Sequence, residues 1–240
     1  MQNKRPDSKS NAAPNSAESY LEYLKEEFFP KHGAKLAIVL ALVAVAVFVV
    51  IQNMNKSARK DADQVEELGK ALTYIYINRG DSALWVLENA IQDNKLKGLN
   101  LAKAALLAGN FHLQNGNLGS AEIFYKTSIS NAGKVDIIAS AAEHGLAVVA
   151  MEKQDYQEAI SLLNAFINKY GKRTGDLAKR YAKTEPVDAV PTVPDAKWKL
   201  ALCYLEVGDK EKAKQSAERL LRVYGDSPRA ANAQKLLATL

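Results

Sequence analysis

The sequence is poor in the residues that build disulfide scaffolds, metal sites and catalytic motifs. Cys203 is the one cysteine, so no intrachain disulfide can form. The three histidines, His32, His112 and His144, have no cysteine or carboxylate at the spacing of metal ligands. The patterns HExxH, GxSxG and GxxxxGKS are absent as well. We therefore expect no metal, no cofactor and no enzyme activity.

A strong excess of one charge is also lacking. The chain has 32 Lys and Arg against 27 Asp and Glu, a net charge of +5, and the basic residues are spread along it. No basic stripe with interleaved aromatic residues occurs, and no DNA- or RNA-binding motif. The composition therefore predicts no nucleic-acid partner.

One long apolar run is present, near the N-terminus. Every residue from Leu36 to Ile51 is apolar, and the window from Gly33 to Gln52 is interrupted only by Lys35. A helix of this length covers about 30 Å, the thickness of a bilayer's hydrocarbon core, and it has no polar face. We expect residues 33–52 to form a single transmembrane helix. A cleaved signal peptide and a buried core helix are the alternatives, but a long segment precedes the run and a basic one follows it.

The flanks of the predicted span have distinct compositions. Residues 1–17 are polar and low in aromatics, which predicts a disordered tail. Residues 18–30 carry apolar side chains on one face and are expected to form an amphipathic juxtamembrane helix that Pro30 ends. Residues 53–62 are expected to be a linker to the domain that follows.

Charge does not decide the orientation of the span, because three basic residues lie close to each of its ends. Long domains are exported largely regardless of charge. We therefore expect a single-pass membrane protein with a cytoplasmic N-terminus and its large domain outside the cytoplasm.

Four similar segments follow the linker, each with a turn, an alanine and an apolar-periodic helix. A second helix precedes each turn and carries a small residue twelve positions before the alanine. Two helices pack closely only where small side chains face each other. The pattern predicts an all-α domain over 63–240, with about four helix pairs and a C-terminal capping helix. The small residues are Ala71 and Ala83, Gly109 and Ala121, Ala147 and Ala159, and Ala201 and Ala213.

This pattern resembles the tetratricopeptide repeat (TPR) family, in which helix-turn-helix units stack into a superhelix. Gly116, Asn117 and Tyr125 in one turn and helix, and Gly208 and Asp209 in another, carry the resemblance best. It implies a TPR-like α-solenoid whose concave wall is made by the first helix of each pair. The implied wall residues are Val65, Leu68, Leu72 and Ile75; Lys103, Leu106, Asn110 and Leu113; Ala141, His144, Val148 and Met151; and Asp195, Trp198, Leu202 and Leu205.

An insertion at 171–195 separates the third and fourth repeats. Pro186, Pro191 and Pro194 exclude a continuous helix across it. It is either a surface loop or a lid whose apolar part, "VDAVPTV", lies in or beside the groove.

The mostly apolar wall suits an amphipathic helix or an unfolded apolar segment of another protein. A short tail, one span and a TPR domain resemble the YfgM-type ancillary subunit of the bacterial Sec translocon. That resemblance implies an inner-membrane protein with periplasmic repeats, whose partners are translocon subunits, periplasmic chaperones or exported polypeptides. The C-terminal repeat is also similar to periplasmic TPR proteins, which implies the alternative, an adaptor in outer-membrane or cell-wall assembly.

Overall fold

The structure, a computed structural model, describes the backbone of residues 29–240 and the side chains of residues 45–52, 61–176 and 178–240. This part of the chain is all-α and contains no strand. Its helices are α1 (Phe29–Tyr76), α2 (Gly80–Gln92), α3 (Gly98–Gln114), α4 (Leu118–Asn131), α5 (Asp136–Glu152), α6 (Tyr156–Tyr170), α7 (Leu177–Tyr181), α8 (Val193–Glu206), α9 (Lys210–Tyr224) and α10 (Ala230–Leu237).

The first helix, α1, is longer than the transmembrane helix expected at 33–52 and extends beyond both of its ends. The backbone of the expected linker, 53–62, is helical, because the sequence contains neither proline nor glycine between Gly33 and Gly69 to end the helix. Pro30 lies in the first turn of α1, where its missing N–H costs nothing. The expected tail at 1–17, and residues 18–28 of the expected juxtamembrane helix, lie outside the described residues.

No helix within the described residues is long and apolar enough to cross a membrane. Residues 33–44 of the expected span lie outside the set whose side chains are described. The remainder of that span, 45–52, is exposed, and the large side chains from Val45 to Ile51 are each about half exposed or more.

The chain divides into two compact units, Met1–Lys60 and Asp61–Leu240. In the second unit each helix packs against the next along the chain, from α2 to α6 and then from α8 to α10, while α6 contacts α8 across the insertion. The end of α1 joins this series through Ala71, which packs in one cluster with Leu87 of α2 and Ala104 of α3. The result is a TPR-like α-solenoid of four helix pairs followed by α10.

Small residues lie at every crossing within the helix pairs. All eight that the sequence pattern identified are buried. The turns between paired helices need backbone with positive φ, supplied by Gly116 (73°) and Gly208 (81°), and by Gln154 (62°) in the third pair. Asp155 and Asp209 then cap α6 and α9 by accepting backbone N–H bonds of 3.1 and 3.0 Å.

Tyr125 of α4 fills a space between α3 and α5 that two glycines leave open. A Cβ atom at Gly109 would lie 2.9 Å from its ring, and one at Gly145 would lie 2.5 Å from its Cζ. The ring is fully buried, which raises the pKa of its hydroxyl to about 12, and the hydroxyl donates a 2.8 Å hydrogen bond to Asn110 Oδ1. Three helices of two successive pairs therefore meet at one aromatic ring.

We predict that Gly145→Ala lowers the free energy of unfolding by about 1–3 kcal/mol, because the added methyl group overlaps the Tyr125 ring. Chemical denaturation of both proteins measures the difference. Combining Gly145→Ala with Tyr125→Leu should recover part of the loss caused by the methyl group.

Gly119→Ala in α4 is the matched control, because a Cβ there meets no atom within 4 Å. It should leave stability unchanged or raise it by up to about 1 kcal/mol. If Gly145→Ala proved as harmless as Gly119→Ala, the packing role assigned to Gly145 would be wrong.

Candidate partner-binding groove

The predicted wall residues lie on α1, α3, α5 and α8, the first helices of the four pairs. None of them is buried; each is half-buried or exposed. The helices carrying them are neighbours: α3 contacts α5, and His144 of α5 reaches Asp195 of α8. These residues therefore remain available to a partner, and their role in binding stays a prediction.

Several wall residues also support the hydrophobic core. Leu106 and Leu113 pack against the cluster around Tyr125, and Trp198 and Leu205 pack against the cluster that includes Leu236 of α10. Leu68 and Met151 pack in the same way against their own clusters. By contrast, five large apolar wall residues belong to none of the clusters of the described residues: Val65, Leu72, Ile75, Val148 and Leu202. Of these, Val65 and Leu72 are the most exposed, at 61 % and 48 %.

Asp195 lies where the third pair, the fourth pair and the last helix meet. Its carboxylate is 3.1 Å from His144 Nε2 on α5 and accepts a 2.6 Å hydrogen bond from Lys199 Nζ on α8. It also forms an ion pair with Arg229, directly before α10. Burial opposes ionisation of the carboxyl, but His144 and Lys199 outweigh that effect and hold its pKa below the ordinary value.

The insertion is an ordered segment rather than an open loop. The Asp188 carboxylate accepts backbone N–H bonds from Lys172 (2.7 Å) and Arg173 (2.9 Å), and Glu185 accepts one from Gly175 (2.9 Å). Arg180 donates a 2.9 Å hydrogen bond to the backbone carbonyl of Val223 at the end of α9.

The apolar part of the insertion packs into the core. Val190 and Val193 lie in one buried cluster with Tyr170 at the end of α6 and with Tyr224 at the end of α9. The backbone N–H of Ala189 also donates a 2.9 Å bond to Tyr170 O. In the described residues, the hydrogen bonds of residues 171–190 reach the ends of α6 and α9 and no wall residue, so they give the lid interpretation no support.

His112, the other histidine considered for function, is a core residue. It is 7 % exposed, its ring stacks on Phe124 with centroids 5.2 Å apart, and its Nε2 lies 2.8 Å from Glu88 Oε1. Within the described residues, no group of His, Cys, Asp and Glu side chains is arranged to hold a metal ion.

Sequence reasoning missed two contributors to this arrangement. Gly145 was not singled out, although a glycine inside a helix is a signal of close approach by another chain segment. Arg229 was not assigned a role because its partner is distant in sequence. Arg229 directly precedes α10, which begins at Ala230 after a turn in which Ser227 O accepts a hydrogen bond from the Ala230 N–H.

Two segments of the chain, residues 141–172 and 195–227, match the family model of the tetratricopeptide repeat. The first falls on α5 and α6 and the second on α8 and α9, the helix pairs that flank the insertion. Stacked helix pairs with a terminal capping helix define an α-solenoid. The two matching segments are therefore similar to tetratricopeptide repeats, and the helix pairs around them have a TPR-like fold.

Solved structures agree on this fold. A tetratricopeptide repeat protein from Parabacteroides merdae superimposes with a TM-score of 0.55 at 19 % identity, covering 73 % of this chain and 59 % of its own. MamA superimposes with a TM-score of 0.52 at 16 % identity, and the match covers 70 % of this chain and 81 % of MamA. The TPR-like repeats of a putative kinesin light chain from Podosopora anserina superimpose with a TM-score of 0.52 at 19 % identity, and the match covers 72 % of this chain and 82 % of that one.

At these identities the likeness shows the fold alone, and this chain spans 59 % of the length of the Parabacteroides protein. No curated protein matches the sequence. TPR repeats bind other proteins, and proteins of this fold are generally scaffolds rather than enzymes.

We predict that Asp195→Asn lowers the free energy of unfolding at pH 7 by about 1–3 kcal/mol, because it removes the charge that His144, Lys199 and Arg229 surround. The pKa of Asp195 is lowered by folding, so its contribution is complete above the unfolded value of about 3.9 and is lost as pH falls through the folded value. Denaturation across pH should therefore show the two proteins converging in acid.

Asp93→Asn is the control, because Asp93 forms an exposed pair with Lys95 at 3.1 Å. It should change stability by less than about 1 kcal/mol. If the two substitutions lowered the free energy of unfolding equally at pH 7, the contacts of Asp195 would contribute no more to stability than an exposed ion pair.

Proposed function

We propose that this protein is a membrane-tethered TPR scaffold that binds other proteins through the wall formed by α1, α3, α5 and α8. The observation that carries the proposal is the set of apolar wall residues left accessible, of which Leu72 is 48 % exposed. Their exposure along successive repeats suits an apolar helix or an unfolded segment, which can bury one side chain in each repeat.

The membrane tether rests on the apolar run at Leu36–Ile51. Its described part supports the proposal, because Val45, Phe48 and Val50 are each more than half exposed. A run of exposed large apolar side chains costs free energy in water and is stable in lipid. We propose that residues 33–52 span the bacterial inner membrane once, with the N-terminus in the cytoplasm and the repeats in the periplasm.

We further propose that the scaffold assists the Sec translocon and periplasmic chaperones in the handling of exported proteins. The support is the apolar run that precedes the TPR-like repeats, together with the apolar wall, which fits polypeptides that have not yet folded. An adaptor in outer-membrane or cell-wall assembly is the second candidate, favoured by the similarity of the C-terminal repeat to periplasmic TPR proteins. Neither proposal includes a cofactor, a nucleic acid or catalysis.

We predict that Leu202→Asp weakens binding of an unfolded apolar polypeptide by about tenfold or more, because bound polypeptide would desolvate the new carboxylate. Leu72→Asp should act in the same direction. Fluorescence anisotropy with a labelled, permanently unfolded export substrate measures the affinity, and circular dichroism checks the fold.

Ile123→Asp on α4 is the matched control, because Ile123 is 65 % exposed and lies on the second helix of its pair. It should leave the affinity within about twofold. If Ile123→Asp weakened binding as much as Leu202→Asp, the wall would not be the binding surface.

Crosslinking of the full chain in native membranes, with identification of the crosslinked proteins by mass spectrometry, tests the two candidate functions. Translocon subunits or periplasmic chaperones are expected if the first candidate function is right. Recovery of outer-membrane or peptidoglycan machinery would select the second candidate. Recovery of cytosolic proteins alone would reject both candidates and the proposed orientation.

A further inference from the structure

A basic pocket lies between the third and fourth helix pairs, apart from the wall. It has a volume of about 350 Å³ and is bordered by α6, α8 and α9. Its lining includes Lys197 and Leu200 of α8, Asn168 of α6, and Lys212, Gln215 and Arg219 of α9. No Asp or Glu is among the described residues that line it. The pocket therefore concentrates positive charge in a concave site.

The pocket and the wall use different faces of α8. Lys197, Leu200 and Tyr204 border the pocket, and their spacing of three and four residues places them on one helix face. The wall residues Trp198 and Leu202 follow a face about a third of a turn or more away. A ligand in the pocket would therefore leave the wall accessible.

Two of the three cations in the pocket have no carboxylate partner. Lys212 Nζ pairs with Asp209 at 2.7 Å, whereas no ion pair within the described residues joins Lys197 or Arg219 to an acidic side chain. Burial and, next, the positive charge of Arg219 lower the pKa of Lys197 to about 8, although Asp188 acts in the opposite direction. A negative charge entering the pocket would relieve this repulsion.

We propose that this pocket binds an acidic side chain from an extended segment of a protein partner. A carboxylate between Lys197 and Arg219 would form charge-assisted hydrogen bonds with both. The amides of Asn168 and Gln215 offer donors and acceptors to a peptide backbone, and Leu200 supplies an apolar surface. A bare phosphate would use the cations but neither the amides' acceptor atoms nor the apolar surface, so the lining favours a peptide.

The test uses the full chain in micelles of an uncharged detergent and a fluorescent peptide of alternating Asp and Gly. This peptide should bind about tenfold more tightly than its Asn and Gly counterpart. Lys197→Met and Arg219→Gln should each weaken binding about fivefold or more, with an unchanged circular dichroism spectrum and thermal midpoint. Arg219 is exposed, so its replacement keeps the test valid if Lys197→Met fails to fold.

Lys214→Met is the control, because Lys214 is an exposed lysine of α9 outside the pocket. It should leave the affinity within about twofold. The proposal is overturned if the Asp and Asn peptides bind equally, or if Lys214→Met weakens binding as much as Arg219→Gln. Binding of inorganic phosphate that depends on Lys197 and Arg219, without binding of the peptide, would also overturn it.

Lysine labelling gives a second readout. At neutral pH, an amine with a lowered pKa reacts faster than exposed lysines with acylating reagents, and bound acidic peptide should slow this reaction at Lys197. Leu202→Asp should change neither the peptide affinity nor the protection of Lys197, because Leu202 lies on the other face of α8. The experiments therefore distinguish loss of acidic-peptide binding in the pocket from loss of partner binding at the wall.

Discussion

The contact of Tyr125 with two glycines is the constraint on which the central part of the solenoid depends. Its ring occupies the space that a side chain at Gly109 or Gly145 would need. Because both positions are glycine, α3 and α5 can pack closely against the Tyr125 ring on α4. The other three helix pairs also need a small side chain at the crossing, and there alanine suffices: Ala71, Ala147 and Ala201 are fully buried. Each contact joins only neighbouring helices, as expected when a repeat array is stabilised by nearest-neighbour interfaces.

The sequence was sufficient to predict the repeated part of the fold. Alanine and glycine recur at fixed intervals because each pair has the same crossing, and Gly116 and Gly208 mark turns that need positive φ. The repeat interval and the turns depend on local spacing, which a single sequence contains. The wall residues were placed on the first helices only by the resemblance to the TPR family; the structure leaves them half-buried or exposed, and their role in binding stays a prediction.

Features that depend on the meeting of distant segments could not be predicted in this way. The pairing of Arg229 with Asp195 and the burial of Val190 follow from how α10 and the insertion return to the array. The basic pocket was missed for the same reason, since Lys197 and Arg219 lie on different helices. Continuation of α1 through 53–62 was missed although the absence of glycine and proline there signals it.

Asp195 also has a consequence for how the molecule opens. Through one carboxylate, α5, α8 and the residue that precedes α10 share a single electrostatic contact. Fraying of the C-terminal end would remove Arg229 and admit water to the Asp195 carboxylate, and the higher dielectric constant would weaken its contact with His144 between α8 and α5. Opening that starts at this end should spread inward as one cooperative event instead of peeling away helix by helix.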